Sequence, residues 1–464
     1  MILSDTIVAL STPPGRGGIG IVRLSGPEAL SLARQMLRSG ADGAGGNGMP
    51  EFEPRHATLT QLVHLPTGNL MDHCVLTFFE KPHSYTGEDV VELSCHGAPV
   101  VLEEVVRQAT ELGARLAEPG EFTLRAFFNG RVDLIQAEAV RDLIEAKTLF
   151  QAQVAIQQAH GSLSKILAPT KEKLVHLIAE LEAGIDFAED DVSFLEHAEI
   201  LKRVNAIQAE LEPLIRSYSA GRVIKEGLSL AIVGRPNVGK SSLFNRLLAT
   251  ERAIVTALPG TTRDTISEPA QIHGLPIHLV DTAGIRLTTN IVEKEGVTRA
   301  YAALAESDLV LVVLDGSTGL EAEDASLLEQ VSDLGHIVVL NKSDLPRRVE
   351  PSELPNQNSK TLEVSAKTGE GIELLRDVIF EAATGAQSRE LVAHSLITNL
   401  RQEQLLKECQ AGLQAAVASI DAAQPHELIL LDLYRTLKAF DSLTGATTVD
   451  DVLGTIFSKF CVGK

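Results

Sequence analysis

Tryptophan is absent from this 464-residue chain, and cysteine, methionine and tyrosine occur only four times each. The cysteines, Cys74, Cys95, Cys409 and Cys461, form no C-x-x-C pair and no zinc-ligand spacing. That excludes a sequence-evident disulfide framework or zinc site and reads as reduced thiols. No apolar run approaches the roughly 18–20 residues that a membrane-spanning helix needs. Positive charge is the minority sign: 41 Lys and Arg against 62 Asp and Glu leave a formal net charge of −21. Such a balance argues against a broad nucleic-acid clamp. A strand-like segment at residues 6–10 lies so close to Met1 that no signal or transit peptide is expected. These absences together predict a cytoplasmic protein without a membrane anchor. What is present is ordinary, 44% hydrophobic and 22% charged, in a length that predicts two or three domains.

Periodicity divides the chain into three regimes. Residues 1–120 carry short strand-like runs, at 6–10, 56–64, 73–79 and 90–94, between glycine-rich turns. Residues 121–220 turn helical, with Leu174, Leu177, Ile178 and Leu181 at three- and four-residue spacing. An α/β block fills 221–383, and helical spacing returns over 384–464, as in Leu428, Leu431 and Tyr434. Two helical stretches flanking one α/β block predict a helical domain into which that block is inserted. Gly15-Arg16-Gly17-Gly18-Ile19-Gly20 satisfies G-x-G-x-x-G, but the dinucleotide fingerprint opens a helix. Here the glycines run into Ile21-Val22-Arg23-Leu24, so a hairpin-like glycine turn is expected instead.

The strongest signal is Gly234-Arg235-Pro236-Asn237-Val238-Gly239-Lys240-Ser241, a match to the phosphate-cradling P-loop. It follows the apolar run 228–233 and precedes the helical spacing of Ser242 to Leu248. A strand, a glycine turn and a helix N-terminus put N–H groups and the positive dipole end around a phosphate. Lys240 is placed to reach the β- and γ-phosphates, and Ser241 to ligate magnesium. Four further motifs follow in register. Asp281-Thr282-Ala283-Gly284 closes another apolar run, with a glycine N–H that can sense a γ-phosphate. Asn341-Lys342-Ser343-Asp344 ends a third run, and a carboxylate there accepts from guanine N1 and N2, which adenine cannot match. Ser365-Ala366-Lys367 supplies a backbone N–H for guanine O6. Gly260-Thr261-Thr262 sits in a loop suited to closing over magnesium when GTP is bound. The expected substrate is GTP.

Ras-like GTPases carry a water-orienting glutamine after the D-x-x-G glycine; this chain has Ile285, so another group must place the water. No arginine finger is identifiable. Asn237 and the loop Thr256-Ala257-Leu258-Pro259-Gly260-Thr261 are rich in neutral oxygens, which can bind a monovalent cation.

Pro13-Pro14-Gly15-Arg16-Gly17-Gly18, Tyr85-Thr86-Gly87-Glu88-Asp89, Pro119-Gly120-Glu121-Phe122, the P-loop and the terminal Cys461-Val462-Gly463-Lys464 together resemble the MnmE (TrmE) family of bacterial tRNA-modification GTPases over essentially the whole chain. The resemblance implies a multidomain α/β chain in which a Ras-like P-loop G domain (221–383) is inserted into an all-α helical domain (121–220 and 384–464). An α+β folate-binding and dimerising domain (1–120) precedes them. It also implies potassium on Asn237, Thr256, Leu258 and Thr261, magnesium on Ser241 and Thr262, and a water-orienting role for Glu293. Arg23, Glu92, Arg131 and Lys464 resemble the family's 5-formyltetrahydrofolate contacts, and Cys461 a residue of the modification reaction. The implied partners are a second copy, tRNA and the flavin-dependent protein MnmG. The implied product carries a carboxymethylaminomethyl or aminomethyl group on C5 of the wobble uridine. Two departures from the pattern are Ala98, where a second glycine is expected, and Arg131, where lysine is common. Two alternatives share the G motifs: a ribosome-assembly GTPase, for which no RNA-binding module is evident, and a regulatory switch.

Overall fold

The computed structural model describes residues 4–38, 52–186, 195–248, 270–280, 307–350, 354, 360–385, 397–446, 453, 456–458 and 460–463. The chain divides into two compact units, Met1–Arg141 with Thr444–Lys464, and Asp142–Leu443.

In the first unit the described residues form a seven-stranded sheet from β1 (Ile7–Leu10), β2 (Ile19–Ser25), β3 (Leu37–Arg38), β4 (Ala57–His64), β5 (Asn69–Phe79), β6 (Val90–His96) and β7 (Arg115–Leu116). Their order is β3-β4-β5-β6-β2-β1-β7, antiparallel except where β1 meets β7. Strand alternation sorts the side chains by face. Val22 and Leu24 of β2 join a core with α1 (Ala29–Gln35) and α2 (Pro99–Glu111). Ile7 and Ala9 of β1 pack the other face against Phe122 of α3 (Glu121–Phe128). The expected glycine turn joins β1 to β2: Gly17 N–H donates to Gly97 O at 3.0 Å, and a Cβ on Gly97 would stand 2.6 Å from Gly17 O. Ala98 is tolerated because it opens α2 with φ −91, a conformation that needs no glycine. Leu134 at the start of α4 (Leu134–Glu145) closes a smaller core with Leu453, Phe457 and Phe460.

The second unit combines helices with a doubly covered sheet. The helices are α5 (Leu149–Ala159), α6 (Ser162–Asp186), α7 (His197–Glu226), α11 (Leu400–Asp421) and α12 (His426–Thr444). The sheet strands are β8 (Leu228–Val233), β9 (Gln271–Ile272), β10 (Leu275–Val280), β11 (Leu309–Asp315), β12 (His336–Asn341) and β13 (Lys360–Val364). They lie in the order β13-β12-β11-β8-β10-β9, parallel except for the β9–β10 hairpin. Leu230 and Ile232 of β8 enter one core, Ala231 and Val233 the opposite one. A strand buried on both faces reads as an unbroken apolar run, which is why β8 and β12 stand out in the sequence. Flanking helices are α8 (Lys240–Leu248), α9 (Ala322–Gln330) and α10 (Ile372–Thr384).

The helix α7 continues through residue 220 to Glu226, past the compositional change, and ends where Gly227 takes φ 101. Gly221 is inside it because the backbone of the returning chain presses there: a Cβ would lie 2.1 Å from Ile397 O.

Candidate nucleotide site and N-terminal charge cluster

The P-loop joins β8 to α8, and its shape is set by three residues with positive φ: Gly234 (148), Asn237 (66) and Gly239 (98). Gly239 admits no side chain, since a Cβ would stand 2.2 Å from Asn341 Nδ2. Lys240 folds back over the loop and donates from Nζ to Gly234 O at 2.7 Å and Arg235 O at 2.8 Å. An ammonium has three protons, so one remains for a phosphate oxygen. Burial lowers the Lys240 pKa below the usual lysine value. Ser241 is exposed on the first turn of α8; its hydroxyl is a hard oxygen donor of the kind magnesium takes. Asn237 is likewise exposed and offers an amide oxygen.

The ends of β12 and β13 are tied to that loop. Buried Asn341 donates from Nδ2 to Val238 O at 2.8 Å and accepts Ala366 N–H on Oδ1 at 3.0 Å. One side chain therefore links the phosphate loop to both base-reading segments. Lys342 takes φ 68, and its Nζ pairs with Asp315 Oδ2 of β11 at 2.5 Å. Asp344 Oδ1 accepts the Ser365 hydroxyl at 2.7 Å, while Lys367 Nζ lies 3.8 Å from Oδ2. The Ser365 bond holds the Asp344 carboxyl below the ordinary carboxylate range, so it is an acceptor at neutral pH. Parallel strands deliver these groups to one edge of the sheet, at their carboxyl ends, where open α/β sheets bind ligands.

Of the residues expected at this site, the structure thus brings together Gly234, Asn237, Val238, Gly239, Lys240, Ser241, Ser242, Asn341, Lys342, Asp344, Ser365, Ala366 and Lys367. Thr256, Ala257, Leu258, Pro259, Gly260, Thr261, Thr262, Asp281, Thr282, Ala283, Gly284 and Glu293 lie outside the described residues, as does Lys464.

In the first unit, Arg23 of β2 stands directly opposite Glu92 of β6. Its Nε and Nη2 both reach Glu92 Oε1, at 2.9 and 2.7 Å. Its Nη1 donates to Gly463 O at 3.2 Å, and its guanidinium lies 5.6 Å from the Phe122 ring centroid. Ser11 Oγ also donates to Gly463 O at 3.2 Å. The tail is thereby held on the α3 face of the sheet, with Cys461 exposed beside it. Arg131 is exposed, and its stem packs under Gly87, where a Cβ would meet Arg131 Cγ at 3.3 Å.

Sequence reasoning did not find the centre of this unit, Arg125, which is fully buried. It donates to Asp5 O at 2.7 Å and Asp5 Oδ1 at 2.6 Å, to Glu121 Oε1 at 3.0 Å and to Glu88 Oε2 at 3.2 Å. Glu121 also takes Arg115 Nη2 at 2.5 Å. Burial pushes the Glu121 carboxyl up, but bonds from Arg115, the Glu118 N–H and Arg125 outweigh it and hold it low. The Tyr85–Asp89 and Pro119–Phe122 motifs therefore contain, in Glu88 and Glu121, the counter-charges of a buried arginine. Only the coincidence of two acidic motifs with a nearby arginine could have signalled it.

Residues 6–131 match the family described as GTP-binding protein TrmE N-terminus, and residues 134–461 the MnmE helical domain. The tRNA modification GTPase MnmE of Koribacter versatilis is 51% identical over 466 residues, covering 100% of each chain. Those of Nitrosomonas eutropha and Aquifex aeolicus are 42% and 43% identical over 463 residues each, at 99% and 100% coverage of both chains. The chain belongs to the MnmE (TrmE) family of tRNA modification GTPases, and GTP hydrolysis in tRNA modification is its activity.

Proposed function

We propose that GTP hydrolysis by this chain drives addition of a carboxymethylaminomethyl or aminomethyl group to C5 of the tRNA wobble uridine. In this reading the protein acts in the cytoplasm as a homodimer with the flavin-dependent partner MnmG, and a tetrahydrofolate supplies the one-carbon unit. The observation that carries it is the Arg23–Glu92 pair joined to Gly463 O, which brings the Cys461 segment to a mixed-charge site in the unit without the P-loop. Such a site suits folate: cations for its glutamate carboxylates, and a carboxylate oxygen for the paired N–H donors of the pterin. Arg23, Glu92, Arg131 and Lys464 are its residues, and Cys461 serves the modification rather than hydrolysis.

In the G block, Lys240 binds the phosphates, Asp344 reads guanine, and Glu293 orients the water. Ser241 with Thr262 is the magnesium set, and Asn237 with Thr256, Leu258 and Thr261 the potassium set. These ions supply charge neutralisation at the phosphates. The domains are 1–120, the split helical domain 121–220 with 384–464, and the inserted block 221–383. The close approach of Gly221 to Ile397 O supports the rejoining of the two helical parts.

The test is mass spectrometry of tRNA nucleosides from cells with and without the gene, and from Cys461→Ser and Glu293→Ala strains. Loss of the wobble modification is expected in all three deficient strains. Hydrolysis should stay near the parental rate in Cys461→Ser and fall about 10²–10⁴-fold in Glu293→Ala. Unchanged nucleosides in the deletion would reject the reading. Equal hydrolysis rates in potassium and sodium at matched ionic strength would remove the cation assignment.

A further inference from the structure

Arg235 lies in the P-loop, yet none of the nucleotide contacts above involves its side chain. Its guanidinium is turned onto the start of α9 instead. Arg235 Nε donates to Asp324 Oδ1 at 2.8 Å, and Nη1 pairs with Glu321. The Asp324 side chain is 2% exposed, and its other oxygen accepts the Glu321 N–H at 3.1 Å. The side chain of Arg235 is therefore tied to a buried carboxylate in the first turn of α9. Its backbone carbonyl, at the same residue, is one of the two oxygens that hold Lys240 Nζ.

We propose that Arg235 is a positioning residue for GTP: anchored on Asp324 and Glu321, it sets the carbonyl that aims Lys240 at the phosphates. The chain of contacts runs from α9 through one side chain to one carbonyl, and from there to the ammonium. A guanidinium matches this role because its planar fork engages two carboxylates at once, with little freedom to rotate. Lysine in its place would keep one carboxylate and lose the span. The inference rests on the reading of Lys240 as the phosphate ligand.

The experiment uses the full chain and fluorescently labelled GDP, with GTP turnover measured alongside. Arg235→Met and Asp324→Asn should each weaken GDP binding and raise the GTP KM about tenfold, as expected for losing a charge-assisted hydrogen bond. The fall in kcat should be smaller than the rise in KM. In a Lys240→Ala background, Arg235→Met should add less than about twofold, because residues that act through one another are not additive. Arg235→Lys should recover part of the loss.

Fully additive losses in the Lys240→Ala background would show that Arg235 only braces α9 and would overturn the proposal. So would parental affinity in Arg235→Met. If Arg235→Met does not fold, Asp324→Asn completes the same cycle with Lys240→Ala. Parental GDP affinity in Lys240→Ala alone would instead overturn the reading of the lysine, a result distinguishable from the other two.

Discussion

The charged groups around Arg125 and those around the P-loop are arranged to opposite ends. In the first unit a fully buried guanidinium meets Asp5, Glu88 and Glu121, and Arg115 binds Glu121 from the other side. Protein oxygens take both Nη groups of that guanidinium, while its Nε has no partner among the described residues. At the carboxyl edge of the second unit's sheet, Lys240 has used two of its three protons on loop carbonyls, and Asp344 accepts one hydroxyl bond from Ser365. Dense internal pairing around a buried guanidinium fixes a shape, whereas partial pairing at the sheet's carboxyl edge keeps capacity for a ligand.

The largest expected effect lies on the shape-fixing side. Arg125→Met should destabilise the first unit by about 3–5 kcal/mol, because breaking a buried pair leaves uncompensated charge. Hydrogen exchange in residues 5–38 and 115–128 should rise sharply, while GDP affinity stays at the parental value. Lost GDP affinity would break the comparison, since the cluster would then serve both units.

Next comes the ligand side. Lys240→Ala should cut GTP turnover about 10²–10³-fold, the usual cost of one electrostatic donor to developing charge. Exchange throughout the first unit should be unchanged. Phosphate release and the same exchange measurement check both halves.

A smaller effect is expected at the base. Asp344→Asn should lower GTP affinity about 10–100-fold and raise that for xanthosine triphosphate, since an amide offers one acceptor and an unwanted donor. Competition binding with the two triphosphates tests this, and an unchanged GTP affinity would remove Asp344 from the base-reading group.

The smallest effect is in pH. Hydrogen bonds and ion pairs to arginine hold the Glu121 carboxyl low against the opposing pull of burial. A depressed carboxylate pKa contributes stability above its unfolded value, about 4.3, and loses it as pH falls through the folded value. Exchange protection around residues 115–125 should therefore decline only below about pH 4, and the step should vanish in Arg125→Met.

How much of this was legible in the sequence follows from the range of the interactions. The P-loop and the Asn341–Asp344 segment each sit where an apolar strand stops, so local pattern revealed both the element and its chemistry, and the Ser365–Lys367 segment follows the mixed strand β13. The glycine turn before β2 was legible for the same reason, and so was the helical spacing of α6. Arg125 was not, because its partners are at positions 5, 88 and 121, and each looks like surface charge by itself. Arg235 was hidden similarly, its anchor lying on α9. Gly221 sits inside α7 because the Ile397 carbonyl comes too close for a Cβ there, a contact that no periodicity encodes. The docking of Gly463 on Arg23 bridges 440 positions, and composition says nothing about it.

That last contact has a consequence for how the protein is made. The carbonyl of Gly463 caps Arg23 and Ser11, and Phe457 and Phe460 fill a core with Leu124 and Leu134. At ordinary elongation rates the ribosome needs on the order of tens of seconds to travel from one side of this contact to the other. Throughout that interval the nascent sheet waits with an apolar seat open, while the whole nucleotide unit is synthesised and can fold behind it. The first unit to begin is thus the last to be finished, and nascent chains stalled before the tail should be the ones that chaperones hold.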